Sequence, residues 1–382
     1  MIRKRGGEKM TPRQGGTRGE LLDRLERLVR IESPSRDADA SERMASQLSE
    51  WWHGAGATVS LESTDAGISL VADLEGEGDP LLLVGHSDTV WPRGTLEGDV
   101  PWSVDGDIVR GPGVYDMKSG LLVMLAAVER LRDRPRRSVR AVVVCDEEIG
   151  SPTTQALLRR CAEGVSGVIG FESPHPDGAL KVGRRGSTRL RIEVQGRASH
   201  AALDPDSGIS AVDELVDQLL RVRQIVADPA LPSEVLCNVG TIAGGGRANV
   251  VPAQAHAEIG LRFVDAVTER RVLAALAALV PVRSGAVVET RLLSSRPAWR
   301  ASDEDRAFVA QIAAVGRALG QEVDARPASG AGDTNLLGSL GLPTVDGFGP
   351  RGGGAHAVTE HASLASLGER IDLLEALLAD VP

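Results

Sequence analysis

The chain has 382 residues, 42% of them hydrophobic and 25% charged, an ordinary globular composition that is long for a single core and sets two domains as the default. Its 43 basic and 53 acidic residues leave a net charge of −10, which argues against a nucleic-acid or anionic-membrane partner. Three cysteines, Cys145, Cys161 and Cys237, form neither a disulfide framework nor a CxxC site, in keeping with a reducing cytoplasm.

Residues 1–16, MIRKRGGEKMTPRQGG, are basic with no apolar stretch behind them. They read as a disordered tail rather than a secretory signal, and no run approaches the roughly 18 apolar residues of a membrane span. Thr17 and Glu20 make a capping box ahead of the helically periodic LLDRLERLVRI. A second helix is predicted over about 40–55, then strands in TVSLES, ISLVADLEG and LLLVGHSD. Leu81–Val84 is a continuous apolar run, as in a strand covered on both faces. His86 and Asp88 follow it at the same strand parity, where open α/β sheets bind ligands. A helix over 120–133, a buried strand over 139–148, a helix around 153–162 and a short strand in GVIGFES come next. This alternation predicts an α/β domain with a parallel or mixed sheet.

The texture changes after about 180. STRLRIEVQG alternates apolar and polar, as a half-exposed antiparallel strand does. A helix over about 208–226, strands in CNVGTIAGG and QAHAEIGLRFV, a helix over 266–278 and a strand in AVVETRLLS complete the order β-α-β-β-α-β of a ferredoxin-like α+β unit. From about 295 the α/β texture returns, with helices at 302–319 and 363–379. The predicted organisation is one α/β domain, 17–180 plus 295–382, split by an insert at 181–294.

Polar residues gather where the strands of the outer domain end. Asp116 sits in GPGVYDMKSG, the run Asp146, Glu147 and Glu148 follows VVVC, Glu172 follows VIGF, and His356 lies in PRGGGAHAV. Singly each has a plain structural explanation, such as a helix cap or a solvated turn. Jointly, two histidines and several carboxylates form a ligand set suited to zinc. The five residues His86, Asp116, Glu148, Glu172 and His356 suffice for two ions if one carboxylate bridges, with Glu147 or Asp146 left to move protons.

The stretches GHSDTVWPRGTL, GPGVYDMKSG, CDEEIGS, FES, GRASHAALDPDSGISA and DGFGPRGGGAH resemble the di-zinc metallopeptidase and deacylase family of glutamate carboxypeptidase, acetylornithine deacetylase and succinyl-diaminopimelate desuccinylase. The wording is closest to the glutamate carboxypeptidase branch. The resemblance implies a mixed-sheet zinc-exopeptidase catalytic domain with an inserted dimerisation or lid domain. It implies that His86, Asp116, Glu148, Glu172 and His356 hold two Zn2+, replaceable by Co2+ or Mn2+. Asp116 would bridge, with a cis peptide just after it. Asp88 would steady His86, and Glu147 would be the general base. His200 would donate to the oxyanion from the other subunit of a homodimer. Lys181, Arg184, Asn249, Arg262 and Arg296, with Asn249 and Arg262 foremost, would meet a substrate carboxylate. The stretch ASGAGDTN departs from the family wording. The implied activity is carboxypeptidase-like cleavage of an amide in a small, dipeptide-like substrate. The alternatives are an N-acyl amino acid deacylase and a catalytically silent ligand-binding relative.

Overall fold

The computed structural model describes residues 17–380, so the tail expected at 1–16 lies outside the described residues. The chain divides into two compact units. One holds the described residues up to Leu180, Ala307–Ala325 and those from Thr344 onward; the other holds Lys181–Arg306 and Arg326–Pro343.

The first unit is built on a six-stranded mixed sheet. Strands β1 (Thr58–Thr64), β2 (Gly67–Leu74), β3 (Glu77–His86), β4 (Arg137–Val144) and β5 (Gly167–Gly170) lie in the order β1-β2-β4-β3-β5, and Thr344–Val345 closes the far side. β3 runs parallel to both β4 and β5, with His86 opposite Val144 and Val84 opposite Gly170, so β4 ends level with β3 and β5 ends two residues short of it. Leu81–Val84 are buried, as their uninterrupted apolar run requires of a central strand. Helix α1 (Arg18–Arg30) starts at the predicted capping box of Thr17 and Glu20. It is followed by α2 (Ala38–Gly54). Helix α3 (Ser119–Arg130) is buried on every side from Ser119 to Val128, as expected of a helix apolar all round. A small second sheet pairs Ser103–Asp105, Ile108–Arg110, His361–Ser363 and Gly352–Gly353. Its last two strands clamp the base of the loop that carries His356.

The second unit has a four-stranded antiparallel sheet of β6 (Gly186–Gln195), β7 (Val235–Gly244), β8 (Gln254–Phe263) and β9 (Val287–Arg296), in the order β7-β8-β6-β9. Helices α4 (Ala211–Val226) and α5 (Ala266–Ala277) cover one face over Leu190, Ile192, Val194, Ala257, Ile259 and Leu261. This is the ferredoxin-like arrangement that the β-α-β-β-α-β order predicts.

The unit boundaries differ from the expected break at 295. Residues up to Arg306 stay with the second unit, and 326–343 return to it. The side-chain amide of Asn335 donates to the carbonyls of Arg184 (3.4 Å), Arg185 (3.1 Å) and Pro297 (2.9 Å). Gly338 lies so close to the Trp299 indole that an added Cβ would fall 2.5 Å from its ring atoms. These contacts hold the returning segment to the unit that precedes it.

Candidate metal centre

The parallel register of β3, β4 and β5 brings three chain turns to one edge of the sheet. His86 ends β3, Glu147 and Glu148 follow β4, and Glu172 follows β5. Asp116 comes from the irregular turn Val114–Lys118 ahead of α3, where the Asp116–Met117 peptide is cis. His356 sits in the loop between Gly353 and His361 with φ of 62°.

These side chains converge. Nε2 of His86 lies 3.2 Å from Oδ1 of Asp116 and 3.5 Å from Oε1 of Glu172. Nε2 of His356 lies 3.3 Å from Oδ2 of Asp116 and 3.2 Å from Oε2 of Glu148. Each oxygen of Asp116 therefore faces a different histidine, and each histidine has its own second carboxylate. Donor atoms of His86, Glu147 and Glu172, and again of His86, Asp116 and Glu148, lie within 4.8 Å of one another.

Asp88 organises the cluster from behind. Its carbonyl is 2.9 Å from Nδ1 of His86, which leaves Nε2 turned toward Asp116. Its Oδ1 accepts the Glu147 N–H at 3.1 Å. Its Oδ2 accepts the Glu148 N–H at 3.2 Å and the Ser35 hydroxyl at 2.6 Å. One residue thus sets the ring of His86 through its carbonyl and the backbone of the two glutamates through its carboxylate, the sort of outer contact that tunes a metal site. Asp146 is buried and takes the backbone N–H and hydroxyl of Thr153, both at 2.8 Å, and the Thr154 hydroxyl. It is a bracket for the loop and is turned away from the proton-moving role that its neighbour Glu147 can fill.

The electrostatics ask for cations. Burial pushes the His86 imidazole down, but Asp116, Asp88 and Glu172 outweigh it and hold it well above its ordinary value. Asp116 and Glu148 push His356 up to about 10. Burial pushes Asp116 up, but the two histidines outweigh it and hold it well below the usual carboxylate range. Burial raises Glu148, whose Oε1 is buried without a hydrogen-bond partner among the described residues. Imidazole and carboxylate donors, a shared central carboxylate and a buried oxygen lacking a hydrogen fit divalent metal ions.

The second unit carries the other residues singled out in the sequence. His200 is exposed, and its Nδ1 accepts N–H bonds from Ala202 (3.2 Å) and Leu203 (3.1 Å). Asn249 is its neighbour, with its carbonyl accepting from the Ala201 N–H at 3.0 Å. Arg262 on β8 and Arg296 on β9 both stand opposite Ser187 of β6, and so share the face away from the helices. Arg262 donates to the Ser187 hydroxyl at 2.5 Å, and Arg296 approaches Asp333 at 3.8 Å. Arg184 is buried and donates from Nε to the Gly330 carbonyl at 2.7 Å. Lys181 lies in the strand Leu180–Arg184 at intermediate exposure. Asp333 and Asn335, both in the glycine-rich ASGAGDTN, carried no periodic or spacing signal.

A family model described as Peptidase family M20/M25/M40 matches residues 82–380. The chain belongs to this family. Carboxypeptidase G2 from Pseudomonas sp. (strain RS-16) is 28% identical over 377 residues, covering 94% of this chain and 89% of that protein. Succinyl-diaminopimelate desuccinylase from Caulobacter sp. (strain K31) is 30% identical over 326 residues, covering 78% and 80% respectively. The crystal structure of a dinuclear metal-binding peptidase of the M20 family from Bacillus subtilis superimposes with a TM-score of 0.64 at 17% identity, over 95% of this chain and 97% of that one. The protein is thus a metal-dependent hydrolase of the M20/M25/M40 peptidases, with their mixed α/β fold. No helix among the described residues is long and apolar enough to cross a membrane.

Proposed function

We propose that the protein is a dinuclear zinc hydrolase that cleaves an amide in a small carboxylate-bearing substrate, releasing a C-terminal amino acid in the manner of a glutamate carboxypeptidase. The observation that carries the reading is the division of Asp116 between two histidine–carboxylate pairs, Oδ1 toward His86 and Glu172, Oδ2 toward His356 and Glu148. His86, Asp116 and Glu172 would hold one ion, and His356, Asp116 and Glu148 the other. When bound, such ions acidify water and polarise a carbonyl oxygen. Glu147 is then the general base: its carboxylate takes the proton of the attacking water and returns it to the leaving amine nitrogen. Asp88 keeps His86 and the Glu147 backbone in place during the exchange.

His200 supplies a donor for the developing oxyanion. With Nδ1 accepting two backbone N–H groups, Nε2 is the ring nitrogen left to donate to a substrate. The active unit is a homodimer in which each copy lends His200 to the other. Support comes from β7, an outer strand with Leu236 and Ile242 47% and 64% exposed, and from Val216 and Leu220 of α4, 52% and 49% exposed one turn apart. Arg262 and Arg296, flanking Ser187, with Asn249, Arg184 and Lys181, would receive the substrate carboxylate; guanidinium groups suit that shape. The three free thiols, Cys145, Cys161 and Cys237, are in keeping with a reducing cytoplasm.

A second reading, an N-acyl amino acid deacylase, draws support from the desuccinylase relative. The test is chromatographic profiling of zinc-loaded protein on N-acyl amino acids and C-terminal glutamyl dipeptides. Release of the C-terminal residue from peptides supports the first reading. Turnover confined to N-acyl or N-succinyl amines replaces it with the second, and no turnover of either overturns both.

A further inference from the structure

Glu360 sits four residues after His356, between Thr359 and His361, where a charge would ordinarily be solvated. It is completely buried. Its Oε1 accepts the backbone N–H groups of Tyr115 at 2.9 Å and Asp116 at 3.1 Å. Its Oε2 accepts the Gly113 N–H at 3.0 Å and the Trp91 indole N–H at 2.6 Å. Its own N–H closes a turn onto the Ala357 carbonyl at 2.8 Å. A carboxylate offers about four acceptor positions, and all four here meet N–H donors. The group's acceptor positions are all taken, so it has none left for substrate.

The three segments that it ties together are not arbitrary. Trp91 follows His86 and Asp88 on the turn after β3. Gly113–Asp116 presents the carboxylate that stands between the two histidines. The Ala357 turn adjoins His356. A buried charge is costly unless its hydrogen bonds are complete, and Glu360 completes them only when these segments keep their present spacing.

We propose that Glu360 is a positioning residue of the metal centre, holding the Asp116 carboxylate in register with His86 and His356. The inference rests on the dinuclear reading above. Glu360→Gln preserves shape but sets an NH2 group against N–H donors. Glu360→Asp preserves charge but withdraws the carboxylate by one methylene. Wild type and both variants are titrated with Zn2+ against a chromophoric chelator, and with Co2+ while recording the visible absorption. Thermal unfolding in chelator and kcat and KM on the best substrate complete the set.

The folded variants are expected to bind metal about 10- to 100-fold more weakly, the range typical of outer partners. Their cobalt bands should shift and kcat should fall, with KM little changed. A variant that melts earlier but keeps wild-type metal affinity, cobalt spectrum and kcat overturns the proposal, because Glu360 would then serve stability alone. If Glu360→Gln does not fold, the same comparison on Glu360→Asp decides. Wild-type protein that takes up neither metal removes the dinuclear reading and Glu360's role with it, whereas metal uptake unaltered in both variants removes only the latter.

Discussion

The two units hold their functional groups by opposite means. In the first, charged side chains sit at the ends of buried parallel strands and are fixed by other carboxylates: Asp88 on the backbone of Glu147 and Glu148, Asp146 on Thr153 and Thr154, Glu360 on the Asp116 turn. In the second, Arg262 and Arg296 stand on the helix-free face of an antiparallel sheet, and His200 and Asn249 lie in exposed loops. The first arrangement suits atoms that must stay within a fraction of an ångström of a metal. The second suits groups that meet a variable ligand and gain from freedom to adjust.

That contrast predicts all-or-none losses in the first unit and graded ones in the second. His86→Ala should abolish activity together with metal uptake, read by elemental analysis. Glu147→Gln should lower kcat by about 10²–10⁴-fold with both metals retained, since it removes a proton carrier. Metal loss in Glu147→Gln with turnover intact after reconstitution would reverse the assigned roles.

His200 sharpens the comparison, because the second unit's contribution is proposed to act on a neighbouring copy. Glu147→Ala and His200→Ala homodimers should each be nearly inactive. Refolded together in equal amounts, about half the dimers should be hybrids, and roughly a quarter of wild-type activity should return. A histidine acting within its own chain predicts no recovery.

Arg262→Ala should be milder. Losing one charged hydrogen bond costs about 1.5–3 kcal/mol, so kcat/KM should fall roughly 10- to 100-fold, mainly through KM. A fall in metal content would place Arg262 with the first group instead.

The smallest expected effect concerns pH. His356 is held up to about 10 by Asp116 and Glu148. A folded-state value above the unfolded one of about 6.5 means a stabilising contribution complete below that pH and lost as pH rises through about 10. Melting in chelator should show this loss on the alkaline side. Zinc affinity should change in the opposite sense, rising with pH as the imidazole gives up its proton to ligate. Melting curves with and without zinc whose pH dependences run in parallel would contradict the facing of His356 onto those carboxylates.

Much of the first unit was legible because its signals are local. The apolar run Leu81–Val84 announces a central strand, and the parity of His86 and Asp88 places both at its end. The β-α-β-β-α-β order announces the second sheet. Three features were not legible. The segment 326–343 returns to the second unit through Asn335 and Gly338, contacts that no periodicity encodes. Glu360 reads in sequence as a solvated loop charge; its burial depends on backbone N–H groups more than 240 residues earlier in the chain. The small sheet that clamps the His356 loop leaves no pattern to read, its strands being only two or three residues long.

The outer strand β7 has a practical corollary for handling the protein. A ten-residue strand with no strand partner on one side among the described residues, Leu236 and Ile242 exposed and no proline in its length is a template for further strand addition. Chains unfolded for subunit exchange will pass through states in which that template is bare, so precipitation competes with reassembly and yield should fall with concentration. A lysine in place of Ile242 is the natural gatekeeper: it should raise soluble recovery of monomeric chains, and its effect on dimer yield reports how much of the pairing runs along that strand.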